Sequence, residues 1–122
     1  MLVPAFTMPV QLPNGTVVNI TYYRVNETFR LGNTTLVVFG LVSRLSVSLT
    51  INVYGVPPGN YTVETAGLRA NRTTIESGAA LSINIQYVAP RSNGHPHPVP
   101  AGTRLEITIQ PLDLTITVTV KG

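Results

Sequence analysis

Strict two-residue alternation is the feature that most restricts the folds open to this chain. In LSVSLTINVY, residues 45–54, Leu45, Val47, Leu49, Ile51 and Val53 share one side of an extended backbone, and Ser46, Ser48, Thr50 and Asn52 share the other. LDLTITVTVK, residues 112–121, repeats the pattern, with Leu112, Leu114, Ile116, Val118 and Val120 opposite Asp113, Thr115, Thr117, Thr119 and Lys121. Shorter alternating runs follow at 18–23, 61–63, 81–86 and 105–109. No stretch sustains a 3.6-residue period, so the sequence predicts an all-β protein with almost no helix.

Turn-forming clusters separate these runs: Pro13-Asn14-Gly15, Gly32-Asn33, Pro57-Pro58-Gly59-Asn60, Ser77-Gly78 and the long segment 89–102. About eight to ten strands at this spacing predict a two-sheet antiparallel sandwich, immunoglobulin-like or prealbumin-like, over residues 13–122. A chain of 122 residues can bury a core of its own, and it contains no cysteine to staple it.

Two segments break the alternation. TLVVFGLVS, 35–43, is apolar on both sides, with Val37, Phe39 and Leu41 on one and Leu36, Val38 and Val42 on the other. A two-layer sandwich buries only one face of a strand, so a second cover is expected, either the N-terminal segment or another copy. MLVPAFTMPV, residues 1–10, is apolar almost throughout, but Pro4 and Pro9 lack an N–H. It has no basic leader region and reads as an arm over 1–12, or an edge strand, in which Leu2, Val3, Ala5, Phe6, Met8 and Val10 are available for assembly with Leu36, Val38 and Val42.

Asn-x-Thr triplets begin at Asn14, Asn19, Asn26, Asn33, Asn60 and Asn71. Nine asparagines at this Ser/Thr content would give about 1.6 such triplets by chance, so the excess argues for N-glycans, the one covalent addition expected. Each of the six falls at a turn, a strand end, the polar side of a strand or, for Asn71, a polar stretch, as a sugar-bearing Asn must. The spacing sets a condition. Asn19 and Asn26 are an odd number of residues apart, so on one unbroken strand they face opposite ways; a bend or bulge near Asn26-Glu27 is expected, failing which one of the two turns inward.

Other chemistry has little to stand on. The net charge is +3, with one lysine, Lys121, and scattered arginines at 24, 30, 44, 69, 72, 91 and 104, which is not the basic stripe of a nucleic-acid binder. No apolar run is long enough for a membrane-spanning helix. His95 and His97 are the only histidines and a weak candidate metal pair, because a third ligand is hard to find when Asp113 is the only aspartate. The carboxylates Glu27, Glu64, Glu76, Glu106 and Asp113 are dispersed, no nucleophile motif appears, and no cofactor is expected, so the chain reads as a non-enzyme. Residues 89–102, with four prolines, read as a stiffened contact loop or a connector.

NVYGVPPGNYTVETAG, 52–67, resembles the strand–turn–strand of prealbumin-like and carboxypeptidase-regulatory-like domains, through Pro58, Gly59, Tyr61 and Val63. In overall character, a small Cys-free, Thr-rich sandwich with dense sequons and an apolar arm resembles the subunits of archaeal surface filaments, the threads and bundling pili. That resemblance implies an extracellular, cell-surface subunit whose partners are copies of itself, the N-terminal strand of one completing a sheet of the next. Two other readings stand beside it: a surface module binding carbohydrate or protein through Tyr22, Tyr23, Tyr54, Tyr61 and Tyr87, and a virion coat or spike protein.

Overall fold

A computed structural model describes residues 2–68, 70–78 and 80–122; Met1, at the start of the expected arm, Arg69, one of the scattered arginines, and Ala79 lie outside the described residues. The chain is an all-β, antiparallel sandwich. Its strands are β1 (Leu2–Gln11), β2 (Val17–Leu31), β3 (Thr34–Val42), β4 (Ser46–Tyr54), β5 (Gly59–Gly67), β6 (Asn71–Ser77), β7 (Ala80–Val88), the short pair β8 (Arg91–Ser92) and β9 (His95–Pro96), β10 (Arg104–Gln110) and β11 (Leu114–Thr119). One sheet runs β1-β2-β3-β4-β7 and the other β11-β10-β5-β6, with β8 and β9 as a separate ribbon.

The alternation translates directly into the core. Val47, Leu49, Ile51 and Val53 of β4 face Leu105, Ile107 and Ile109 of β10, Tyr61 and Val63 of β5 and Ile116 and Val118 of β11, all buried in one cluster. Each such side chain removed from water contributes about 1.5–3 kcal/mol, which is what holds the two layers together. The chain crosses between layers after β4: Pro57-Pro58 leads to β5, and Tyr61 donates its hydroxyl hydrogen to the Pro57 carbonyl oxygen.

Gly40 marks a close approach within the first sheet. It sits at φ 153, opposite Leu49, and a Cβ there would lie 1.9 Å from the Ser48 carbonyl oxygen. Only glycine lets β3 and β4 pair at this point. The hairpin from β2 to β3 turns through Gly32-Asn33 with Gly32 at φ 61, the positive value that a two-residue turn needs at its first position.

Several expectations change. Leu36, Val38 and Val42 are not the exposed side of β3: they point into the chain's own core at 2%, 2% and 0% exposure, toward the second sheet. The face left over belongs to Val37, Phe39 and Leu41. The last strand starts at Leu114, not Leu112, since Asp113 at φ 56 belongs to the turn after β10. The polar stretch at 71–77 forms β6, pairing with β5 from Thr65↔Asn71 to Gly59↔Ser77. Residues 89–102, read as a loop, contain a short ribbon: β8 and β9 close on an Asn93-Gly94 turn with φ of 54 and 77.

Candidate assembly surfaces and glycosylation positions

All six sequon asparagines are exposed. Asn14 accepts a hydrogen bond from the Thr16 amide at 3.0 Å in the turn after β1, and Asn33 occupies the turn after β2. Asn60 lies on β5 opposite Glu76, on the outward side, because its neighbour Tyr61 is buried. Asn71 opens β6, its Oδ1 accepting from the Arg72 amide at 2.8 Å.

Asn19 and Asn26 settle the spacing question differently from expectation. β2 runs unbroken from Val17 to Leu31, its register with β3 continuous through Asn26-Glu27, and yet neither asparagine is inward. The irregularity is in the partner strand. Pro4 pairs with Tyr23 and Phe6 with Tyr22, so Ala5 is an extra residue in β1, and such a bulge sharpens the local twist. Beyond it β2 outruns β3, whose last partner is Tyr23, and residues 17–22 pair with β1 alone. Asn19 shares its side of the strand with Val25, yet Val25 is buried and Asn19 exposed.

The N-terminal arm is an edge strand with little to bury. Among the described strands it pairs with β2 alone, and Val3, Phe6 and Met8 remain 52%, 48% and 42% exposed. Phe6 stacks on Tyr22 with ring centroids 4.7 Å apart and planes 14° from parallel. Ala5 is exposed, while Leu2 and Val10 are half-buried. The prolines fit this position because an edge strand has one side with no partner to receive an N–H.

On the same side of the sandwich the two layers part. A cleft of about 400 Å³ opens between β2 and β11, lined by Leu2, Val25 and Phe29, with Leu36 and Val38 of β3 on the same sheet and Ile116 on the other. A strand edge borders it: β11 ends its sheet, and across the cleft the described β1–β2 ladder runs from Leu2↔Val25 to Gln11↔Val17.

The remaining candidates are not brought together. His97 Nε2 lies 2.8 Å from Ser92 Oγ, His95 is half-buried in β9, and among the described residues no three His, Asp or Glu side chains are placed to share a metal ion. The segment around them is tied to the body of the fold: Arg44 Nε donates to the Val99 carbonyl at 2.7 Å, and the Val99 amide donates to the Arg44 carbonyl at 2.9 Å. The tyrosines do not gather either, since Tyr61 is in the core and Tyr87 packs against it. No helix among the described residues is long and apolar enough to cross a membrane.

Fold and surfaces together define an antiparallel β-sandwich with dense exposed sequons and an apolar cleft beside β11, the last strand of its sheet. No family model matches the chain, nor does any curated protein or solved structure.

Proposed function

We propose that the protein is a non-enzymatic, N-glycosylated structural subunit of an extracellular filament or surface layer, and that it polymerises by lending residues 2–11 of one copy to the cleft beside β11 of the next. The observation that carries this reading is a mismatch within one chain. An apolar arm buries little against its own fold, while an apolar cleft on the same protomer is bordered by β11, the last strand of its sheet. An unpaired edge is a template for another strand, and an added strand contributes backbone hydrogen bonds along its length and alternate side chains into the groove. The ten-residue arm is long enough to run the whole of six-residue β11.

Deleting residues 1–12 tests it: the truncated protein is expected to remain a protomer under conditions in which the full chain polymerises, and unchanged assembly would sink the proposal. The sugar component is tested by the intact mass of native material, several kilodaltons above 13.1 kDa if the sequons are occupied and at that value if they are not. A surface binding module is the rival class, but its tyrosine patch is divided between core and surface. A virion coat shares the assembly expectation, and electron microscopy of the native particle separates it from a filament.

A further inference from the structure

We infer that Asn26 carries a glycan whose first sugars lie across Phe39 and cover the outer apolar strip of β3. The inference rests on the glycoprotein reading above and adds a role for one particular site. Asn26 and Phe39 are direct cross-strand partners in the β2–β3 ladder, and both are exposed on the outer face of the sheet. Directly opposite residues place their Cβ atoms about 4.5–5.5 Å apart, so a sugar on the Asn26 amide starts within reach of the ring. The C–H-bearing face of a pyranose is the natural occupant for an aromatic face, which is negative at its centre.

The surroundings favour a narrow, hydrogen-bonding occupant over a second protein. Val37, Phe39 and Leu41 form a strip one strand wide, with Thr28, Asn26 and Arg24 opposite them on β2 and Asn52, Thr50 and Ser48 opposite them on β4. Thr50 already donates to Asn84 Oδ1 at 3.1 Å, closing the polar row on that side. A stable protein interface needs about 800 Å² from each partner, and here it would have to bury both polar rows to reach three apolar side chains. A glycan covers the strip while its hydroxyls meet Arg24, Thr28 and water. The same sugar keeps this face out of assembly, which leaves the arm and the cleft as the polymerising surfaces.

The test uses protein made in its native glycosylating host: site-by-site glycopeptide mass spectrometry, followed by apolar-dye binding of Asn26→Gln and Asn60→Gln, the second removing a sequon from the opposite sheet. Expected are sugar at Asn26, a severalfold rise in dye binding for Asn26→Gln but not for Asn60→Gln, and reversal of that rise by adding Phe39→Ser. Enzymatic removal of the glycans from wild-type protein should give the same rise, which guards against a folding defect in the variant. Sugar at other sites with Asn26 bare overturns this inference and leaves the glycoprotein reading standing. Sugar at no site overturns both, and equal dye binding by the two variants overturns the covering role.

Discussion

Ile20 and Val25 are both buried, at 1% and 5% exposure, although they stand five residues apart on one unbroken strand and therefore point to opposite sides of it. Val25 belongs to the main core and Ile20 does not. The side of β2 that the protein covers thus changes along its length, at the place where Ala5 bulges from the partner strand. Ile20→Ala is expected to cost about 2–5 kcal/mol, as for a core residue, whereas Phe39→Ser on the same side of the sheet should stay within about 0.5 kcal/mol in unglycosylated protein. Chemical denaturation of the two variants checks the contrast.

Gly40→Ala should be among the most damaging single-atom additions in the chain. Its Cβ meets the Ser48 carbonyl oxygen at 1.9 Å, and that oxygen is backbone in a central ladder, so relief requires β3 and β4 to move apart. A loss of about 3 kcal/mol is expected from overpacking of this kind, visible as a lowered denaturation midpoint with an unchanged slope. Gly78→Ala, where an added Cβ meets nothing within 4 Å, is the control.

Thr65→Val should stabilise the protein. Thr65 Oγ1 is buried with no hydrogen-bond partner among the described residues, on β5 where the opposite residue of β10 is the fully buried Ile107. An unsatisfied hydroxyl costs about 1–3 kcal/mol, and valine keeps the β-branched shape while removing it. A rise in Tm checks the assignment; a fall would mean that the hydroxyl has a role in the fold.

The sequence made the layers legible because alternation in 45–54, 81–86, 105–109 and 114–119 is itself the pattern of burial. It misled at 35–43 for a related reason: with both sides apolar, parity cannot say which side the second sheet covers, and the register with β4 decides for Leu36, Val38 and Val42. β6 was hidden because Asn71 to Ser77 is an edge strand whose only apolar residue is Ile75, leaving no alternation to read. The bulge at Ala5 and the cleft beside β11 were hidden more deeply. Both depend on where neighbouring strands stop, Val25 for β1 and Tyr23 for β3, and no local pattern encodes a strand's length relative to its neighbour's.

Arm exchange can be locked by chemistry that the chain leaves free. Thr7 and Thr21 are paired across β1 and β2 with their hydroxyl oxygens 2.9 Å apart, so the two positions hold side chains in direct contact when the arm lies on its own protomer. Because the protein has no cysteine, Thr7→Cys with Thr21→Cys introduces a single pair of thiols, close enough to bridge. Oxidation before assembly should staple the arm to its own β2 and hold the protein as a protomer, and reduction should restore polymerisation to the level of the parent chain. The companion variant, Thr7→Cys with Thr117→Cys on the exposed side of β11, should yield crosslinks between copies instead, read as a ladder of multiples on a denaturing gel. Polymerisation indifferent to oxidation of the first pair would show that the arm stays home during assembly, and the cleft would then have to be filled by something other than residues 2–11.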